Sequence, residues 1–141
     1  MTKKINWIKS ENWSSNSLVS RGFSQKISQL KFLVIGVGSL GSAITELMVR
    51  AGIIHMDVID SDILTMGNLV RHKLVASDIG SLKAVKMEEP LTSSNIHYDG
   101  KSFSKTFEEF IQKEQDRLPN YDIVIETTGE DVVFFKILSL K

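Results

Sequence analysis

Lys31-Phe32-Leu33-Val34-Ile35-Gly36-Val37-Gly38-Ser39-Leu40-Gly41 is the stretch that decides the fold. An apolar run breaks into three glycines, and apolar residues then return at helical spacing. The pattern predicts a buried strand, a tight turn and a helix. Gly36 lets the chain leave the strand, Gly38 lets backbone approach a phosphate, and Gly41 lets the helix pack close to the sheet. The free amides at that helix start, Ser39 among them, and the positive end of the helix dipole suit an anion. A nucleotide phosphate is therefore expected there, against the alternative of a glycine turn that binds nothing.

Outward from the turn, Leu40, Ala43, Ile44, Leu47, Met48 and Ala51 form an apolar stripe, read as a helix packed on a sheet. Gly52 stands where a left-handed cap is wanted, and residues 53–60 predict a second strand ending in Asp60-Ser61-Asp62. Residues 65–77 predict a loop with a short helical turn. A helical pattern restarts at Asp78, with Leu82, Val85 and Glu89 marking its faces and Pro90 ending or kinking it. Residues 96–99 predict a short third strand. Residues 106–118 predict a helix with Phe107, Phe110 and Ile111 inward and a Thr106/Glu109 capping box. Residues 121–126 are a continuous apolar run suited to a strand covered on both faces, and residues 131–140 predict a last helix. The alternation implies right-handed crossovers and a mainly parallel sheet in the order 3-2-1-4, a Rossmann-like three-layer αβα fold of the α/β class.

At 141 residues, 42% hydrophobic and 24% charged, the chain holds one core. Lys plus Arg and Asp plus Glu each total 17, so no global field points to nucleic acid or an anionic membrane. The polar start, without the apolar core of a signal peptide, places the chain in the cytoplasm by default. There is no cysteine, hence no thiolate metal site and no thioester chemistry by this chain's own residues. Residues 1–29 read as an arm with Trp7, Trp13 and Phe23 as apolar anchors, and residues 30–141 as the nucleotide-binding domain.

After the glycine turn come Asp60 and Asp62, then Asn68-Leu69-Val70-Arg71-His72, then Asp78-Ile79-Gly80 and Lys83. In this order the chain resembles the ThiF/MoeB/HesA superfamily, the adenylating domains of ubiquitin-type activating enzymes, from about residue 31 to residue 129. The resemblance implies ATP with Mg²⁺ as the nucleotide, and as substrate the C-terminal carboxylate of a small ubiquitin-like or sulfur-carrier protein. It implies that Asp60 accepts from ribose hydroxyls, Arg71 and Asn68 hold the triphosphate, and Lys83 sits near the α-phosphate, with Arg71 and Lys83 the catalytic pair. Each role has a plain alternative: a loop-capping carboxylate for Asp60, a surface ion pair for Arg71, a solvated helix lysine for Lys83. Asp62 reads equally as an organiser of metal or loop and as a turn carboxylate. His72 stands where many relatives carry glutamine, and reads as a packing or hydrogen-bonding residue.

The match to the family pattern weakens after the fourth strand, where Gly129 occupies the position of the relatives' magnesium-binding aspartate. Glu126, Glu130 and Asp131 are nearby, and no metal ligand is assigned. Arg21 is the candidate for the arginine that relatives contribute from the arm of a partner subunit. The last segment carries Val132, Val133, Phe134, Phe135, Ile137, Leu138 and Leu140, which want cover on every side. That predicts either more chain or a second subunit, most simply a symmetric homodimer. Two other functions stay open at this point. An NAD-dependent oxidoreductase shares the glycine fingerprint and Asp60, though it has no need of the Asn68–Arg71 cluster. A non-catalytic dimerisation or scaffold module of the same fold fits Gly129.

Overall fold

The computed structural model describes residues 24–140, so Trp7, Trp13, Arg21 and Phe23 lie outside the described residues. A four-residue helix α1 (Gln25–Ser28) leads into β1 (Lys31–Ile35). The remaining strands are β2 (His55–Ile59), β3 (Ser102–Phe103) and β4 (Ile123–Glu126), all parallel and in the order β3-β2-β1-β4. Between and after them run helices α2 (Ser39–Arg50), α3 (Lys83–Ser94), α4 (Phe107–Lys113) and α5 (Asp131–Leu138).

The alternation of side chains along β1 splits the core in two. Phe32 and Val34 join Met56 and Val58 of β2 on one face, where Val49 of α2 and Ala84, Met87 and Leu91 of α3 cover them. Leu33, Ile35 and Ile59 face the other way onto Phe107 and Phe110 of α4 and Val133 of α5. With each such side chain worth about 1.5–3 kcal/mol when buried, a strand apolar on both faces is stable only between two helical layers. The three-layer αβα architecture and the strand order are those the sequence predicts.

Several local readings change. The stripe from Leu40 to Ala51 is not the face that α2 presents to the sheet: Gly41, Ser42, Thr45 and Val49 are buried, while Leu40 and Leu47 are 59% and 63% exposed. The glycine turn fixes the helix rotation, because a Cβ on Gly41 would collide with the Gly36 carbonyl oxygen. Thr45 is tolerated on the buried face because its hydroxyl donates to the Gly41 carbonyl at 2.9 Å. The helix ends as expected: Gly52 has φ +104°, and Ile53 N–H reaches back to the Met48 carbonyl at 3.0 Å.

α3 starts at Lys83 and not at Asp78, because Gly80 (φ +86°) interrupts the chain after a 3-10 turn over Ala76–Asp78. It buries Ala84, Met87 and Leu91, whereas Leu82 and Val85 are exposed. It also runs through Pro90, whose lost N–H bond is offset by the burial of Met87 and Leu91 on either side. The third strand lies at Ser102–Phe103, because residues 95–98 close a turn instead. Tyr98 N–H donates to the Asn95 carbonyl at 3.0 Å, and the Tyr98 hydroxyl caps the Met56 carbonyl at 2.8 Å. The predicted helix over 106–118 divides into α4 and a 3-10 segment, Gln115–Asn120, that contains Pro119. Its capping box is present, with Glu109 N–H donating to the Thr106 hydroxyl at 3.2 Å.

β4 is an edge strand, and its Ile123 and Val124 are each 38% exposed, so the expectation of cover on both faces is not met within residues 24–140. α5 forms as predicted and buries Val133, while Val132, Phe134, Phe135, Leu138 and Leu140 are exposed. No helix among the described residues is long and apolar enough to cross a membrane.

Candidate functional site

The chain leaves β1 onto one face of the sheet and returns to neighbouring β4 from the other, which opens a crevice at the carboxyl ends of the strands. That crevice encloses about 200 Å³. Gly36, Gly38, Asp60, Asp62 and Lys83 line it, together with Thr127, Thr128 and Glu130.

The three glycines do different work. Gly36 has φ +86°, and a Cβ there would come within 2.9 Å of Thr128 Cγ2. Gly41 lies under the turn, where a Cβ would also come within 2.6 Å of Thr127 Oγ1. Gly38 is the N-cap of α2 with φ −70°, and nothing lies within 4 Å of where its Cβ would be. The turn has no internal use for a glycine at 38, and the space beside it is open to the crevice. No side chain caps the start of α2, so its first amides are available to an anion.

Asp60 ends β2 with its carboxylate engaged twice: Oδ2 accepts from Val37 N–H at 2.7 Å and Oδ1 from Asp62 N–H at 2.8 Å. The loop-capping role thus coexists with a place on the crevice wall, since each oxygen keeps a further lone pair. Asp62 is mostly exposed and pairs with Lys83, whose ammonium donates to Oδ2 at 2.7 Å. The Lys83 side chain is only 7% exposed, so it is a buried cation at the crevice and not a solvated helix lysine. Its backbone N–H donates to the Asp62 carbonyl at 2.9 Å, and Ile63 bridges Leu82, which ties the start of α3 to the end of β2.

Arg71, Asn68 and Ser39 lie outside the crevice wall. Asn68 Oδ1 accepts from both the amide and the hydroxyl of Thr65 at 2.9 Å, closing the 3-10 turn Met66–Asn68. Arg71 is exposed, with no ion pair among the described residues, and its carbonyl accepts from the Ser39 hydroxyl at 3.1 Å. Its backbone is therefore moored at the first residue of α2, within reach of the turn. His72 is a hydrogen-bonding residue, as expected. Nε2 donates to the Val37 carbonyl at 2.6 Å, and Nδ1 accepts from Leu74 N–H at 3.0 Å. Burial pushes its pKa down. The Val37 bond and Asp60 pull it up more weakly, and Lys83 adds to the depression.

Sequence reasoning missed Thr127, whose hydroxyl donates to the Gly36 carbonyl at 2.5 Å and is also 3.2 Å from the Ile35 carbonyl. It also missed Lys105 on the crevice wall, where Glu130, one of the three carboxylates noted near Gly129, lies as well. Their signal was position, directly after the third and fourth strands, where open α/β sheets place ligands. Glu126 turns back on its own loop and accepts from the amides of Thr128 at 2.5 Å and Gly129 at 3.2 Å and from the Thr128 hydroxyl. Among the described residues no three His, Asp or Glu side chains are grouped to hold a metal ion.

The ThiF family profile matches residues 12–131. The ATP-dependent ubiquitin transferase-like protein Cap2 of Enterobacter hormaechei is 36% identical over 130 residues, which are 92% of this chain and 22% of that protein. The molybdopterin-synthase adenylyltransferase of Haemophilus influenzae is 26% identical over 105 residues, 74% of this chain and 42% of the relative. A crystal structure of Escherichia coli MccB with ATP superposes with a TM-score of 0.69 at 19% identity, covering 86% of this chain and 35% of MccB, a likeness of fold. The chain spans about a fifth of the length of its Cap2 relatives. With a parallel 3-2-1-4 sheet, a glycine turn at its switch point and a profile match over most of its length, the chain belongs to the ThiF family.

Proposed function

We propose that residues 30–141 are the nucleotide-binding part of an ATP-dependent adenylating unit, with residues 1–29 as an arm, acting on the C-terminal carboxylate of a small ubiquitin-like or sulfur-carrier protein. The observation that carries this reading is the buried Lys83 ammonium, which shares one crevice with Gly38 and Asp60 beside an uncapped helix start. The turn amides and Lys83 suit phosphate oxygens, and Asp60 suits ribose hydroxyls. Arg71, whose backbone is moored at Ser39 and whose side chain has no ion pair among the described residues, would swing its planar fork onto a polyphosphate. In the reaction a carboxylate oxygen attacks the α-phosphorus, the bond to the β-phosphate oxygen breaks, and acyl-adenylate and pyrophosphate result. Lys83 would offset the charge that builds on the α-phosphoryl oxygens.

Magnesium needs only one or two protein carboxylates when it arrives on a triphosphate. Asp62, Glu108 and Glu130 line the crevice beside Asp60, and one or two of them fit that requirement without a preformed cage. The relatives, an adenylyltransferase and a ubiquitin transferase-like protein, support the same class of reaction. Calorimetric titration of the full-length protein with ATP-magnesium and with NAD tests the reading. ATP is expected to bind at least about tenfold tighter, ~1.4 kcal/mol. Tighter NAD binding would move the assignment to an oxidoreductase.

A further inference from the structure

Residues 71–74 lie as a strap across the glycine turn and the first two turns of α2. The Ser39 hydroxyl donates to the Arg71 carbonyl at 3.1 Å, and Lys73 N–H donates to the Ser42 hydroxyl at 3.4 Å. The Lys73 ammonium stands 2.9 Å from Glu46. From the strap, the His72 side chain hydrogen-bonds the turn itself. Its Nε2 faces the Val37 carbonyl, which can only accept, and its Nδ1 faces the Leu74 N–H, which can only donate. Both contacts are satisfied by a single species, the neutral imidazole with its proton on Nε2. Since Asp60 holds the Val37 N–H, Val37 is gripped from both sides, by the end of β2 and by the strap.

We propose that His72 is a positioning residue: while neutral, it fixes the strap, and Arg71 with it, against the glycine turn, and on protonation it releases the Leu74 end. A proton added at Nδ1 turns an acceptor into a donor facing another donor, so the Leu74 bond is lost while the Val37 bond stays. The charged groups acting on the ring are Asp60 from β2 and Lys83 from α3, while Glu46 of α2 is engaged with Lys73 and Arg50. The consequence for ligand binding rests on the reading of the crevice as an ATP site. The latch itself does not.

Glutamine supplies a side-chain N–H donor and a carbonyl acceptor but cannot titrate, so His72→Gln separates the hydrogen bonds from the charge. The full-length protein, its His72→Gln form and its His72→Ala form would be compared from about pH 7.5 to about pH 4.5, because burial places protonation of the folded ring below an unperturbed imidazole pKa of about 6.5. Leu74 amide exchange protection and the Kd for ATP-magnesium would be read in each. Wild type is expected to lose Leu74 protection in acid by about fivefold more than His72→Gln, the worth of one hydrogen bond. ATP affinity should fall in His72→Ala, return in His72→Gln, and show a steeper acid loss in wild type than in His72→Gln. A side-chain ¹⁵N spectrum of wild type should report the Nε2–H tautomer. An Nδ1–H tautomer, or identical pH profiles of Leu74 protection in wild type and His72→Gln, overturns the latch. Pronounced acid release of Leu74 in wild type alone, with no ATP bound by any form, leaves the latch standing and removes the ATP reading.

Discussion

Gly38 and Gly41 sit three residues apart in one turn, and the structure assigns them opposite consequences on substitution. At Gly41 an added methyl meets the Gly36 carbonyl, backbone held at φ +86°, and Thr127 Oγ1 at 2.6 Å, neither of which has room to move away. Overpacking of this kind costs about 1–3 kcal/mol, less about 1 kcal/mol that alanine gains over glycine in a helix. The upper half of that range applies, so Gly41→Ala should lose roughly 1–2 kcal/mol and melt about 3–7 °C lower. At Gly38 the methyl meets nothing within 4 Å and φ is −70°. Reduced freedom of the unfolded chain gains about 0.4–1 kcal/mol, and the poorer N-cap costs a similar amount, so Gly38→Ala should melt close to wild type. Its methyl instead occupies the space a phosphate needs, and losing one charge-assisted hydrogen bond of about 1.5–3 kcal/mol should weaken ATP at least tenfold. Circular-dichroism melts and ATP titration of both variants read the two effects. Full ATP affinity in folded Gly38→Ala, or a wild-type melting temperature in Gly41→Ala, would refute this division of labour.

Lys83→Met should leave stability within about 1 kcal/mol, because its partner Asp62 is mostly exposed and stays solvated, while ATP–pyrophosphate exchange falls about a hundredfold. Retained exchange would take Lys83 out of the chemistry. Tyr98 is held neutral by burial and its pKa is pushed well above the ordinary tyrosine range, with Asp57, Glu88 and Asp99 adding to the rise. The unfolded chain gives up that proton near pH 10 and the folded chain only above it, so stability should fall as pH rises past about 10. Tyr98→Phe should lessen that alkaline loss, with Tyr121, also raised by burial, supplying the remainder, which urea melts across the range would record. Phe134 and Phe135 are 49% and 65% exposed on α5, so Phe134→Asp with Phe135→Asp should preserve the fold and abolish the expected self-association, measured by sedimentation. A wild-type chain that sediments as a monomer at micromolar concentration defeats that expectation.

Much of this protein is legible in its residues alone. The apolar run into Gly36, Gly38 and Gly41 set the strand, turn and helix, with Gly36 and Gly41 answering local steric demands and Gly38 leaving open space beside the crevice. The alternation of strand and helix set the sheet order through the handedness of crossovers. Asp60 and Lys83 were picked out through the family resemblance that the order of motifs carries, and both reach the crevice. Tertiary structure alone decided which face of α2 is buried, because contact between Gly41 and Gly36 sets the helix rotation regardless of where the larger apolar residues fall. It decided that Pro90 stays inside α3, where burial of Met87 and Leu91 outweighs one lost backbone bond. It moved the third strand from residues 96–99 to Ser102–Phe103, since the Asn95 turn and the Tyr98 hydroxyl claim that stretch. It also brought Thr127 beneath the turn and His72 onto Val37, contacts 91 and 35 residues apart in sequence, which local patterns cannot register.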